Sequence, residues 1–301
     1  MDRSGNRLNI AGPSQSHNGT MVRMRFASPL RYPGGKASMT GVLSEIRDLN
    51  GLGDYAVAEP FAGGAGASLS LLYRGETPKI HINDLDPAIH AFWHSAVHDS
   101  EELLSLLDEH PVSVEEWTRQ RDIYRAVGPS RLELGFAAFY LNRCNRSGII
   151  KNGGVIGGLD QSGRWKISAR FNKRTLRERL ECIAEHREEI CVTGLDAIEF
   201  IGTLDQVSTM FFVDPPYYGK GSRLYLNVPL PEYHERLAAK LRGMGDAAAW
   251  VLTYDDCPEV RELYEEWANV QSLSLRYTAS ERRQGEELLI TPKPLGMPAC
   301  P

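Results

Sequence analysis

The sequence predicts an α/β protein whose sheet is mostly parallel, ends in an antiparallel hairpin and carries a mainly helical insertion. Three observations predict this. Short apolar segments alternate with helical patterns on either side of the chain's centre, the order that builds a parallel sheet. Between residues 99 and 144 helical periodicity runs on without a strand. Residues 269–277 and 286–291 both read as strands with no room for a helix between them, so they pair as a hairpin.

The elements follow in order. Residues 1–27 are polar, rich in Gly, Ser and Asn, and read as a flexible leader without an apolar signal core. A Gly/Pro-rich loop at 29–36 precedes a helix that ends near Leu49, and 54–59 is a short strand. That strand runs into Pro60-Phe61-Ala62-Gly63-Gly64-Ala65-Gly66 and a helix at 67–73. A second strand at 79–83 ends in Asp84-Leu85-Asp86-Pro87, where Asp86 suits an N-cap and Pro87 the first helical turn.

Apolar residues then recur at helical spacing (Leu103, Leu104 and Leu107; Leu134, Ala137, Ala138 and Leu141). A glycine-rich stretch at 148–169, interleaved with Val155, Ile156, Trp165 and Ile167, reads as a hairpin or extended loop. After a helix at 174–188 the alternation resumes, with strands at 189–193, 208–213 and 248–253 and helices at 197–202, 231–242 and 258–267. The expected organisation is a catalytic domain built from 28–98 and 189–295, an inserted domain at 99–188 and a flexible tail at 296–301.

Composition excludes several classes. The chain of 301 residues is 42% hydrophobic and 24% charged, which is globular and not low-complexity. No apolar run approaches the roughly 20 residues that span a bilayer. Its five cysteines form no C-x-x-C pair and have no H-x₃-H partner, so neither a disulfide framework nor a metal site is expected. The net charge of −5 is unevenly spread. From Arg143 to Arg179 there are ten Lys/Arg against Asp160 and Glu178, a surplus of eight that leaves −13 for the rest. A solvated helix face beside a basic loop is the plain reading of that surplus.

The chemistry concentrates at strand ends. Glycines after the first strand let backbone approach a ligand, and the following helix offers free N–H groups. Asp84, twenty-one residues after Gly63, ends the next strand, where an acid accepts hydrogen bonds from ribose hydroxyls. Together they favour a ligand bearing a nucleoside. Asp214-Pro215-Pro216-Tyr217 follows the apolar run Met210-Phe211-Phe212-Val213 and so falls on the sheet's ligand-binding edge. Two prolines stiffen the turn and keep its carbonyls out of any helix. The Asp214 carboxylate and the Pro215 carbonyl then accept the two N–H groups of an exocyclic base amine, and Tyr217 offers a ring for a base flipped from the duplex.

In these motifs the chain resembles the Dam-like DNA adenine-N6 methyltransferases, over nearly all of residues 28–292. The resemblance implies a Rossmann-like sheet that binds S-adenosyl-L-methionine. Pro29-Leu30-Arg31-Tyr32-Pro33-Gly34-Gly35-Lys36 is similar to the family's N-terminal cofactor motif; its aromatic and lysine positions fall on Tyr32 and Lys36, with Lys36 implied to pair with the methionine carboxylate. Phe61, Ala62, Gly63 and Gly64 match the main cofactor loop, Asp84 and Leu85 the ribose-holding strand end, and Asp196 and Ala197 the motif that contacts the cofactor's adenine amine. On its own residue pattern Asp196 is a helix N-cap. The catalytic tetrapeptide of the family stands intact at Asp214, Pro215, Pro216 and Tyr217.

The insertion is similar to the family's target-recognition domain, framed by Asn142-Arg143-Cys144-Asn145-Arg146-Ser147-Gly148 and Arg170-Phe171-Asn172-Lys173. The resemblance turns the basic segment into an expected contact surface for double-stranded DNA, with Asn142, Arg143, Arg146, Lys151, Arg164, Lys166, Arg170, Asn172 and Lys173 as its candidate residues. Residues 149–169 depart from the GATC-specific members, so that site is not carried over. Arg282 and Arg283, between the last two strands, are a second candidate DNA contact. A cytoplasmic enzyme of bacterial or phage origin is implied, with a restriction endonuclease as a possible partner. Two alternatives remain at this point: cytosine-N4 methylation, against which Asp rather than Ser at 214 argues, and a non-catalytic DNA-binding regulator on the same fold.

Overall fold

The computed structural model describes residues 27–32, 36–218, 231–276 and 284–298. Most of the expected leader, Pro33-Gly34-Gly35, Arg282 and Arg283, and the last three residues of the expected tail lie outside the described residues. The described strands are β1 (Ala56–Glu59), β2 (Ile80–Asn83), β3 (Ile190–Thr193), β4 (Thr209–Val213), β5 (Ala249–Asp255), β6 (Ala268–Arg276) and β7 (Gln284–Pro292). They form one sheet in the order β3-β2-β1-β4-β5-β7-β6. The first five are parallel, while β7 pairs antiparallel with both β5 and β6. The expected α/β class, parallel sheet and terminal hairpin are all present.

From β1 the chain moves outward to β2 and β3, then crosses back to start β4 on the other side of β1. That reversal between β1 and β4 is the point where open α/β sheets bind ligands, outside the carboxyl ends of the strands. β4 is buried along its whole length. Its period-two alternation sends Met210 and Phe212 to one face of the sheet and Phe211 and Val213 to the other. The first face is covered by α1 (Thr40–Leu49), α2 (Gly66–Tyr73) and α3 (Pro87–His98), the second by α8 (Ala197–Thr203), α9 (Pro231–Arg242) and α10 (Pro258–Tyr264). As anticipated, Asp86 caps α3 by accepting the Ala88 N–H at 2.8 Å, with Pro87 in the first turn.

Four further helices, α4 (Ser100–Glu109), α5 (Val114–Arg125), α6 (Arg131–Cys144) and α7 (Lys173–Glu185), fill the stretch between α3 and β3. Their side chains do not form a separate core. Leu103, Leu107, Trp117, Phe136 and Phe139 join Phe92 and Trp93 of α3, and through them Ile80 and Ile82 of β2, in one continuous cluster. α6 is buried around most of its circumference, and Phe139 stacks on Phe92 at 5.4 Å.

At 148–169 the alternative of a hairpin is corrected. The segment makes only an isolated antiparallel bridge, Val155 to Asn145, and ends in a 3₁₀ turn, Ile167–Arg170. Left-handed backbone at Gly148, Asn152, Gly157, Gly158 and Gln161 breaks the alternation a hairpin needs. The Gln161 side chain replaces the missing ladder: it donates to the carbonyls of Ile156 and Gly158 and accepts the Ile167 N–H. The Arg174–Glu188 helix expected from periodicity ends at Glu185 and continues as a 3₁₀ turn, Arg187–Glu189.

Candidate active site

The loops at the carboxyl ends of β1, β2, β3 and β4 meet at the reversal point, and one side chain ties three of them together. Asn83, the last residue of β2, is fully buried. Its amide nitrogen donates to the carbonyls of Pro60 (2.9 Å) and Leu195 (3.0 Å), and its oxygen accepts from Thr193 Oγ1 (2.8 Å) and the Leu195 N–H (2.9 Å). An asparagine side chain has two donors and one acceptor oxygen with two lone pairs, so all four are used.

The glycine loop rests on this hub. Gly63 donates its N–H to Asp84 Oδ2 at 2.8 Å, and its carbonyl accepts from the buried Trp93 indole at 2.8 Å. Gly63 has φ +47, and a Cβ there would lie 2.8 Å from the Tyr32 ring, so glycine is required on two counts. Thus Tyr32, Gly63, Gly64 and Asp84, all expected at the cofactor, are brought together. Asp84 also accepts the Asp86 N–H at 2.9 Å, yet burial outweighs both backbone donors and pushes its carboxyl up to about 7. Glu59, which accepts the Ser68 N–H from inside the β1 turn, is likewise pushed up to about 7 by burial.

Phe61 and Leu85 edge the same crevice, with Leu85 48% exposed, while Ala62 and Ala197 are buried beneath it. Asp196 is the N-cap of α8, accepting the N–H groups of Ile198 and Glu199, and its second oxygen accepts from Tyr233 Oη at 3.1 Å. Tyr233, which packs edge-on against Phe61, is a neighbour the sequence reading missed.

The Asp214–Tyr217 turn leaves β4 beside this loop. Asp214 Oδ1 accepts from Thr253 Oγ1 of β5 at 2.6 Å and lies 3.2 Å from Lys36 Nζ. Burial raises the Asp214 pKa, and Lys36 and then Thr253 oppose the rise. Lys36 starts a 3₁₀ turn, Lys36–Met39, and is itself buried. Its ammonium sits 5.0 Å from the centre of the Tyr217 ring and 2.7 Å from Tyr217 Oη. The resemblance gave Lys36 a carboxylate of the cofactor as partner; among the described residues its partners include two carboxylates of the chain. The second is Glu287 of β7, at 3.5 Å, to which Tyr217 Oη also donates.

Glu287 was not among the expected site residues. Because β7 runs antiparallel, its early residues lie at the carboxyl edge of the parallel strands, with Glu287 directly opposite Asp255. Burial raises its pKa as well, against the pull of Lys36. Lys36 thus faces Asp214 and Glu287, with Glu59 close enough to repel Asp214 and Asp255 opposite Glu287, and Asp84 follows the strand on the other side of β1; this excess of carboxylates at the strand ends suits a cationic ligand.

The expected DNA-contact residues divide. Arg146, Lys151, Arg164, Lys166 and Arg170 are exposed on the loop that follows α6, and Lys173 donates to the Asp108 carbonyl. Asn142 is corrected: it is fully buried and holds the Arg31 backbone from both sides, accepting its N–H and donating to its carbonyl, each at 2.7 Å, while also donating to Gly148. Asn172 is the N-cap of α7, its oxygen accepting the Thr175 N–H.

Arg143 spans the carbonyls of Arg170 and Pro29, and burial followed by repulsion from Arg179, Arg31 and Arg170 lowers its pKa to about 9. Arg31, and Arg179 at the end of the basic segment, complete this cationic cluster, although neither was among the expected contact residues. They bind the carbonyls of Asn145 and Ser28.

No metal spacing was read from the sequence, but the fold brings ligand atoms of Cys182, Glu185 and His186 within 4.8 Å of one another at the end of α7. His186 Nδ1 is 2.8 Å from the Cys182 carbonyl oxygen. Among the described residues no helix is long and apolar enough to cross a membrane.

Against this geometry stand the comparisons with known proteins. The sequence profile of the D12 class N6 adenine-specific DNA methyltransferases matches residues 32–279, which takes in β1 to β6 and every motif discussed above from Tyr32 onward. No curated protein matches the chain. The chain belongs to the D12 class N6 adenine-specific DNA methyltransferases.

Proposed function

With membership of that class as the premise, we propose that the chain transfers the methyl group of S-adenosylmethionine to N6 of an adenine flipped out of double-stranded DNA. Class membership favours adenine N6 over cytosine N4 and catalysis over a non-catalytic role. The observation that carries the finer reading is that Asp84 and Asp214 follow the carboxyl ends of the two strands flanking β1, at the β1/β4 reversal, each fixed by backbone or side-chain donors.

The residues fit the cofactor. Gly63 leaves no side chain between the loop and Tyr32, Asp84 keeps lone pairs for ribose hydroxyls, and the surplus of carboxylates favours a ligand with sulfonium and ammonium charges. When bound, S-adenosylmethionine supplies an electrophilic methyl group. Asp214 and the Pro215 carbonyl accept the two N–H groups of the adenine amine, which turns its lone pair out of conjugation with the ring and toward the methyl carbon. Methyl transfer to N6, with S-adenosylhomocysteine as the leaving group, would leave the amine with a surplus proton, which the Asp214 carboxylate would accept and pass to solvent. A carboxyl whose pKa is raised by burial takes that proton more readily than an exposed one. The Tyr217 ring, anchored through its hydroxyl to Lys36 and Glu287, stacks on the flipped base.

Cofactor binding should depend on pH through Asp84. Its pKa of about 7 in the ligand-free protein means that it is mostly protonated at pH 6. Ribose hydroxyls donate best to the ionised form, so binding releases a proton. Affinity should rise by about tenfold from pH 6 to 8 and then level off. Calorimetry of the wild type and Asp84→Asn tests this. The variant should bind weakly with a flatter profile; a tight, pH-dependent Asp84→Asn would assign the titration elsewhere, with Glu59 the first candidate.

DNA contact should depend on salt through the exposed basic loop. Arg170→Ala is expected to weaken duplex binding a few-fold and to flatten the log–log salt dependence by about one if its guanidinium meets one phosphate. Fluorescence anisotropy across a salt series reads both. An unchanged slope would remove Arg170 from the DNA face.

A further inference from the structure

One ammonium in this crevice serves two carboxylates. Lys36 Nζ is 3.2 Å from Asp214 Oδ1 and 3.5 Å from Glu287 Oε1. The reading of Asp214 given above, on which this inference rests, needs its carboxylate to accept from the adenine amine. Lys36 and Thr253 both sit on Oδ1, and an ammonium held there draws off the negative charge with which the carboxylate polarises the amine. A buried ammonium cannot abandon one carboxylate unless another compensates it.

Glu287 has the means to do so. It is 2% exposed, and its Oε2 has no hydrogen-bond partner among the described residues. Such an orphan is costly unless something occupies it in another state of the protein. Tyr217 Oη lies between the two groups, accepting from Lys36 at 2.7 Å and donating to Glu287 Oε1.

We propose that Glu287 is a positioning residue that takes over the Lys36 ammonium when Asp214 engages the adenine amine. Asp214 thereby becomes an uncontested acceptor without leaving a buried charge unpaired. The Tyr217 ring moves with the pair it is bonded to, so ammonium transfer and base stacking are coupled.

Among the described residues, the charged and titratable groups facing Asp214 and Glu287 are Lys36 from its 3₁₀ turn, Tyr217 from the catalytic turn, Glu59 from the end of β1 and Asp255 from β5. Glu287→Gln preserves an acceptor for Tyr217 and Lys36 but removes the charge. Lys36 then stays on Asp214, and Asp214 also loses a repelling neighbour. Both changes favour the ionised, lysine-bound form of Asp214.

The expected result is a single-turnover methylation rate lower by about tenfold or more, with the thermal midpoint nearly unchanged. The acid limb of the rate profile should move to lower pH by about one unit. The Lys36 Nζ resonance, followed in ¹⁵N-lysine-labelled protein, gives a readout that needs no turnover. It should shift on adding duplex DNA to the wild type and stay in place in Glu287→Gln.

A wild-type rate and pH profile in the variant would overturn the proposal. So would a slower rate with an unmoved profile and a wild-type Lys36 response, since a merely structural role predicts those. Asp214→Ala is run alongside: if it methylates DNA, the reading of Asp214 itself fails, whereas a wild-type Glu287→Gln beside an inactive Asp214→Ala refutes the role of Glu287 alone.

Discussion

Replacing Asp214 with alanine is expected to lower methyl transfer by about 10³-fold or more, some 4 kcal/mol of transition-state stabilisation, while S-adenosylmethionine still binds. In the proposed function the carboxylate faces the amine to be methylated, while the ribose falls to Asp84, which the Gly63 N–H holds at the end of a different strand. Lys36 is not stranded in the variant, because Glu287 remains 3.5 Å from its ammonium. The cofactor crevice should therefore survive the substitution. Asp214→Asn is the stricter control: an amide keeps the size but turns one acceptor into a donor aimed at Thr253 or at the substrate amine, and it should be nearly as inactive. Single-turnover rates and calorimetric cofactor affinities on the same preparations separate lost chemistry from lost binding.

The second large effect is on stability. Asn83→Ala removes four hydrogen bonds inside a fully buried site and leaves the Pro60 and Leu195 carbonyls, the Leu195 N–H and the Thr193 hydroxyl without their partner. Each orphan costs about 1–3 kcal/mol, and partial relaxation brings the sum to about 3–5 kcal/mol. That is a large part of the roughly 5–15 kcal/mol that keeps a domain folded. Asn83→Asp should be no better, since it points a carboxylate at two carbonyl oxygens. Urea unfolding reads the loss directly, and a decrease below about 1 kcal/mol would mean that the three loops hold their positions without this hub.

Much of this arrangement is legible in the sequence because it depends on local chemistry. Strand–glycine–helix and strand–acid–proline patterns announce β1 to α3, and the stiff Asp214–Tyr217 turn announces itself through two prolines after an apolar strand. Pro231–Arg242 forms the helix that periodicity predicts, to the residue. What escapes the sequence depends on pairing at a distance. Glu287 reaches the site only because β7 inserts antiparallel between β5 and β6, and nothing near it in the chain indicates that its side chain will meet Tyr217 across 70 positions.

Asn142 is misread for the opposite reason. Its polar neighbours Arg143, Asn145 and Arg146 give it the look of a surface residue, while the helix before it, Phe136 to Leu141, is apolar on every side. A helix of that kind is central, and a polar residue in its last turn is there to satisfy backbone. The left-handed backbone that replaces a hairpin at 148–169 falls partly on Asn152 and Gln161, which no glycine marks.

The central claim is that Asp214 directs methyl transfer to the exocyclic amine of adenine. The most direct measurement is nucleoside analysis of duplex DNA incubated with methyl-labelled S-adenosylmethionine and either the wild type or Asp214→Ala. The account predicts label in N6-methyladenine alone with the wild type and essentially none with the variant. Label in N4-methylcytosine, or an equal yield of N6-methyladenine from the variant, would contradict it.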